Sequence, residues 1–240
     1  MAMTVQTALR AKVKDARARQ AGWVLLLDFL RLLASAEGRA RLWMKLAHRD
    51  AVHQTSPDTF EDRYPELFDL AAQLRPDAAR ILSFGCSTGA ELVSLRARFP
   101  DAKIVGAEIN PRSRSIARRK VASDRQIRVV RPREVEGSFD LIFALAVLQR
   151  EPHKIDAMGV HDLLPYYPFK QFDAAVSELA GRLEHGGLLC VDYSHYRVED
   201  SDAAAVLQPV SKSPANRGAL FGPDGRRLES PNGKTIFRKC

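Results

Sequence analysis

Glu108, with Gly85 and Gly89 about 20 residues before it, forms the arrangement in this sequence with the clearest chemical potential. A carboxylate has two oxygens that can accept from two vicinal hydroxyls. An acid ending a second strand, at this spacing from a glycine loop, is where a ribose is held. The loop runs Ile-Leu-Ser-Phe-Gly-Cys-Ser-Thr-Gly-Ala-Glu from Ile81 to Glu91. Its glycines remove side chains where a ligand approaches the backbone and tolerate positive φ. Its amides open a helix, so they can donate to a carboxylate or phosphate. The combination points to a nucleoside ligand. The loop lacks the GxGxxG glycines suited to a pyrophosphate, and no Walker Gly-Lys-Ser/Thr occurs. A second reading, in which the glycines serve packing alone, stays open.

These residues need strands and helices to position them. The run from Ile81 to Phe84 and Ile104–Glu108 read as buried strands, with Leu92, Leu95 and Phe99 at helical spacing between them. Upstream, Tyr64, Leu67, Leu70 and Leu74 mark a helix over Glu61–Leu74. Asn110-Pro111 begins a helix from Arg112 to about Ser123, carrying Arg112, Arg114, Arg118, Arg119 and Lys120. It reads as a solvated outer face, with nucleic-acid contact as the alternative. Ile127–Val130 and Phe139–Leu145 are the third and fourth strands. Glu151–Phe169 is irregular and rich in His, Tyr and Pro, and falls where such folds insert substrate-binding elements. A helix over Lys170–Leu183 follows, capped by Gly186-Gly187, then a fifth strand over Leu188–Tyr193. Ala203–Val210 reads equally as helix or strand, two Gly/Pro turns follow, and Thr235–Arg238 reads as a last strand. Alternating strands and helices predict an α/β fold, doubly wound around a mostly parallel sheet.

The expected division is a helical arm over 1–54 and a main domain over 55–240. In the arm, Trp23, Leu26, Leu27, Leu30 and Leu33 recur at helical spacing, and Leu42, Trp43 and Leu46 continue in another helix. The arm is read as a cap over the cleft; a surface-binding helix is the alternative. A basic start, an apolar run and Ala34-Ser35-Ala36 imitate a signal peptide, but Asp28 and Arg31 interrupt the run. No stretch is long and apolar enough to predict a transmembrane helix. The net charge of +8 fits an acidic partner or a solvated basic surface. Three scattered cysteines, Cys86, Cys190 and Cys240, suggest neither a disulfide framework nor a zinc cluster and fit the cytoplasm. The oligomeric state is left open.

Ile81–Gly89, Ile104–Asn110, Phe139–Phe143 and Leu183–Leu188 fall in the order and spacing of the class I S-adenosylmethionine-dependent methyltransferases. The chain resembles that superfamily over about Leu67 to Tyr193. Where the family has an acid two residues before the first loop glycine, this chain has Ser83; the middle glycine is Ser87. Cys86–Glu91 looks more like the variant loop of chemotaxis-receptor methyltransferases. The family often places an acid near Arg131 to receive the adenine amino group, which this chain lacks. Ala144-Leu145-Ala146-Val147 replaces the Asn/Asp-Pro-Pro-Tyr/Phe loop of amino-group methylases, and no cysteine stands where cytosine methylases need one.

The resemblance implies a Rossmann-like, seven-stranded methyltransferase fold with extra N-terminal helices, and S-adenosyl-L-methionine as cofactor. It implies cofactor contacts from Phe84, Gly85, Cys86, Ser87, Gly89, Glu91, Glu108, Ile109, Asn110, Arg131 and Ala144. Glu91 would meet the methionine ammonium, Glu108 the ribose, and Ile109 the adenine face. The expected acceptor is a small molecule or glycan, methylated at oxygen, with His161, His195 and Asp192 as candidate bases. RNA and protein are the alternative acceptors. No metal-ligand constellation is expected. Two rivals are a non-catalytic binding subunit that retains the fold and a nicotinamide-dependent oxidoreductase, which the GxxxG loop disfavours.

Overall fold

The structure is a computed structural model that describes residues 34–35, 38–39, 53, 59–210, 218–229 and 233–240. The chain divides into two compact units, Met1–Ala47 and His48–Cys240. In the first unit the Ser35 hydroxyl accepts from the Gly38 amide at 2.8 Å, and Arg39 donates from its backbone to the Ser35 carbonyl. The apolar stripe from Trp23 to Leu33 and the pattern at Leu42, Trp43 and Leu46 lie outside the described residues.

The second unit alternates strand and helix: α1 (Pro65–Leu74), β1 (Arg80–Phe84), α2 (Ala90–Arg98), β2 (Lys103–Ala107), α3 (Pro111–Lys120), β3 (Ile127–Val130) and β4 (Phe139–Leu145). After it come α4 (Pro152–Ala157), α5 (Phe169–Gly181), β5 (Leu183–Asp192), β6 (Leu207–Pro209) and β7 (Ile236–Lys239). One seven-stranded sheet results, in the order β3-β2-β1-β4-β5-β7-β6. The first five strands run parallel, while β7 is antiparallel to both β5 and β6. This is the mostly parallel, doubly wound α/β sheet that the sequence pattern predicts.

The central strands are buried on both sides, which is why they read as continuous apolar runs rather than alternating ones. Ile81, Leu141, Phe143 and Leu188 pack with Leu67 and Phe68 of α1, Leu92 and Leu95 of α2, and Ala117 of α3. Leu82, Ile142 and Leu189 face the other way, toward Phe172, Val176 and Leu179 of α5. At the amino edge the Asp140 carboxylate accepts from the Ala79 and Arg80 amides, each at 2.9 Å, and from Arg75. That contact fixes where β1 and β4 start relative to each other.

Several element limits differ from the sequence pattern. Helix α1 starts at Pro65, whose fixed φ suits the first turn. Helix α5 stops at Gly181, and β5 already begins at Leu183. Gly186-Gly187 is therefore no helix cap: it lies inside β5, where the register against β4 slips between Phe139 and Leu141. A Cβ at Gly187 would stand 3.0 Å from the Asp140 carbonyl oxygen. Between Ala203 and Val210 the chain uses both alternatives, a 3-10 turn over Asp202–Ala205 and then strand β6.

Candidate functional site

The sheet order reverses between β1 and β4, and ligands of such sheets bind outside the carboxyl ends at that crevice. Two loops line it. The first follows β1, where Gly85 and Gly89 have φ of 82° and 86° and Ser87 has 49°. The Gly85 and Cys86 amides both donate to the Ala107 carbonyl at the end of β2, at 2.8 and 3.2 Å. The Ser87 amide donates to Glu108 Oε2 at 2.8 Å, and the Asn110 amide to Oε1 at 2.6 Å. Glu108 is only 7% exposed, and burial raises its pKa against the opposing pull of those amides. The Ile109 amide adds a weaker pull on the same carboxylate, and two oxygens with four lone pairs keep capacity beyond these backbone donors.

The frame under Glu108 is equally fixed. Asn110 caps α3, accepting on Oδ1 from the Arg112 and Ser113 amides. Buried Arg114 reaches back to donate to the Glu108 and Ile109 carbonyls. The basic face expected on α3 is therefore largely engaged: Arg118 donates to the Val129 carbonyl, Arg119 to Ser115, and Lys120 to Glu61.

The glycine loop departs from expectation in two respects. The Gly85, Cys86, Ser87 and Gly89 amides all donate to protein acceptors, so those four do not form an anion cradle. The close approaches that the glycines allow are to protein as well. A Cβ on Gly85 would stand 2.6 Å from Val147 Cγ2, and one on Gly89 would stand 3.1 Å from the Ala117 backbone. The packing reading accounts for both glycines, and the loop is pressed onto the exit of β4 through Val147.

Glu91, in the first turn of α2, accepts a hydrogen bond from Ser83 Oγ at 2.6 Å. Burial pushes its carboxyl up to about 7, partly offset by the Ser83 bond and by Arg63. The helix thereby brings a carboxylate beside Ser83, the residue that the sequence comparison expected to be an acid.

The second loop leaves β4. Ala146 and Glu151 are non-glycine residues with φ of 53° and 40°, and Tyr193 beyond β5 has 54°. With Ser87, four of the five such residues described gather at the carboxyl ends of β1, β4 and β5; Asp62 is the fifth. Strained backbone of this kind collects where a site demands it. Buried His195 pins the loop: its amide donates to the Leu148 carbonyl at 3.2 Å, and its Nε2 lies 3.0 Å from the Arg150 carbonyl. Its Nδ1 lies 3.3 Å from the Ala219 carbonyl; burial lowers its pKa, so the neutral ring donates to one of these carbonyls, and both nitrogens face protein backbone. His195, expected as a base, is placed as a clamp. Between the pinned residues, Gln149 Nε2 donates to the Ala146 carbonyl at 3.1 Å.

Asp192 is buried at the end of β5, with Oδ1 accepting from the Tyr193 amide. His161 is exposed on the insert, and its backbone carbonyl accepts from the Arg227 amide. Ala144 is a buried residue of β4, and Arg131 is exposed where the chain leaves β3, its amide donating to Glu134. Phe84 and Ile109 are half-buried, and Cys86 is buried.

The insert starts at the carboxyl edge, as expected, and is partly helical through α4. Its Tyr167 is buried, with its hydroxyl 2.5 Å from His53 Nδ1 and its ring under the Arg150 guanidinium at 5.9 Å. Tyr196 donates to the Tyr167 carbonyl at 2.5 Å. His53 also meets Phe84 edge-on, and burial together with Arg150 pulls its pKa down to about 4. His53, Gln149, Arg150 and Tyr196 carry no local sequence signal. Folding alone sets His53 against Phe84 of β1 and Arg150 over the Tyr167 ring, and links Tyr196 to Tyr167. His53 precedes the expected domain start and belongs to the second unit. Among the described residues no His/Cys/Asp/Glu group suits a metal ion, and no helix is long and apolar enough to cross a membrane.

Residues 82–189, from β1 to β5, match a family model described as a methyltransferase domain. A search of curated proteins gives no match. Among solved structures, the chain is similar to the amino pentose methyltransferase CalS10 of Micromonospora echinaspora, at 24% identity and a TM-score of 0.40. That match covers 65% of this chain and 57% of CalS10, less than two thirds of its length. The N-methyltransferase NodS of Bradyrhizobium japonicum matches at 17% identity, TM-score 0.47, over 74% of this chain and 98% of NodS. TehB of Haemophilus influenzae matches at 10% identity, TM-score 0.49, over 84% of this chain and 67% of TehB.

Proposed function

Residues 82–189 are a methyltransferase domain of the class I S-adenosylmethionine-dependent superfamily, and from that premise we propose that the chain methylates a small-molecule or sugar acceptor. The observation that carries the reading is Glu108, a buried carboxylate held at the crevice by backbone amides with acceptor capacity to spare. Those oxygens would take the ribose hydroxyls, with Ile109 against the adenine and Arg131 near its edge. Asn110 supports Glu108 from below. Phe84, Gly85, Cys86, Ser87 and Gly89 would wall the methionine end, above Ala144 on the sheet. Glu91, sharing a hydrogen bond with Ser83, supplies the carboxylate for the ammonium.

When bound, S-adenosylmethionine supplies an already activated methyl group. The protein's task is then mainly to align the acceptor and exclude water. An oxygen acceptor must also lose its proton. His195 is tied to carbonyls, which leaves His161 and Asp192 as the proposed proton acceptors. The engaged cations of α3 give no support to an RNA acceptor.

Calorimetry with S-adenosylhomocysteine and with NAD tests the reading. Wild-type protein should bind the former and not the latter. Glu108→Ala should lose ~2–4 kcal/mol of that binding, the worth of two charge-assisted hydrogen bonds. Wild-type protein that binds NAD alone, or neither compound, sinks the proposal.

A further inference from the structure

Gln149 is 3% exposed, and its Oε1 has no hydrogen-bond partner among the described residues. Its orientation is not arbitrary. The Ala146 carbonyl can only accept, so Nε2 must face it and Oε1 must face the opposite way. The backbone around it is held as well: His195 secures Leu148 through its amide and Arg150 through its ring. Ala146 and Glu151, on either side, sit in the left-handed region.

A buried acceptor without a donor is costly, and native structures keep few of them. Here one lies in a strained loop, at the switch point of the sheet, pressed against the glycine loop through Val147. Its chain neighbours Ala146, Val147, Arg150 and Glu151 all reach solvent. Two independent features, the orphan oxygen and the concentrated strain, coincide at the edge where the acceptor must arrive.

We propose that Gln149 Oε1 receives a hydrogen bond from the reacting N–H or O–H of the acceptor, making the acceptor an amine or an alcohol and not a carboxylate. The inference rests on the methyltransferase reading above. An ionised carboxylate has no hydrogen to give and would meet Oε1 lone pair against lone pair. An amide oxygen is too weakly basic to remove the proton, so Gln149 orients the nucleophile and leaves deprotonation to another group. A reacting atom held in this way is nearer to the geometry of attack.

The test uses the full chain with S-adenosylmethionine labelled in its methyl group and the small-molecule fraction of a cell extract as the acceptor pool. The labelled product should resist mild base, as methylamines and methyl ethers do. Gln149→Leu should lower kcat/KM for that acceptor by tenfold or more, with S-adenosylhomocysteine affinity within twofold of wild type. Gln149→Asn, one methylene shorter, should show an intermediate loss and serves if the leucine variant does not fold. Label released by base as methanol means a methyl ester and overturns the proposal, as does full turnover in Gln149→Leu. Loss of S-adenosylhomocysteine binding in both variants overturns it too, by assigning Gln149 to the cofactor. A wild type that binds S-adenosylhomocysteine yet labels nothing overturns this proposal and catalysis together. A wild type that fails to bind it overturns the methyltransferase reading itself.

Discussion

Glu91→Gln gives the most direct measure of how the site is charged. The wild-type carboxyl titrates at about 7 in the fold against 4.5 as a reference. The folded state therefore holds the proton more tightly than the unfolded chain. Stability falls as pH rises from 4.5 through about 7, and the full cost is present above that window. At ~1.4 kcal/mol per tenfold difference in proton affinity, the ionised form costs at most ~3 kcal/mol. The residue as a whole is only half-buried although its carboxyl lies deep, so solvent screening brings the expectation down to ~2 kcal/mol. Glutamine keeps an oxygen for Ser83 Oγ and never ionises. Urea unfolding across the range should show the variant close to wild type at the acid end and more stable by ~2 kcal/mol at the alkaline end. Wild-type and variant curves that run parallel would refute the burial argument. If Glu91 also meets the methionine ammonium, binding of S-adenosylhomocysteine near neutrality should release protons. Calorimetry in buffers of different ionisation enthalpy would detect them, and Glu91→Gln should abolish the release.

Two other perturbations follow from the same geometry. Gly85→Ala places a Cβ 2.6 Å from Val147 Cγ2 at a φ of 82°, and should destabilise by ~2–4 kcal/mol from overlap and backbone strain together. Adding Val147→Ala should recover the overlap and leave the backbone cost; strictly additive unfolding energies would show that the two residues do not touch. His53, pulled down to about 4, stabilises the fold above 6.5 and loses that contribution as pH falls through 4. His53→Phe should remove up to ~3 kcal/mol of acid sensitivity from the unfolding curve. An unchanged acid limb would mean that the imidazole ionises freely in the fold.

By itself the sequence determined the alternation of strands and helices, the parallel sheet, the glycine loop and the acid that follows β2. These are local signals: apolar runs of strand length, helical spacing and turn residues each act over a few positions. The sequence also located Asn110 at a helix start, because a cap and its proline are adjacent. It could not determine that Gly186-Gly187 lies inside a strand, since only pairing with β4 separates a bulge from a cap. Nor could it show that the loop glycines face Val147 and Ala117, that Glu91 shares a hydrogen bond with Ser83, or that both ring nitrogens of His195 face backbone carbonyls. His53 and Tyr167 are 114 residues apart, yet their side chains share a hydrogen bond. Burial, pKa and hydrogen-bond partnership belong to such long-range meetings. Only the tertiary structure decides them, because the energy of a polar group depends on what surrounds it in space and not on its neighbours in the chain.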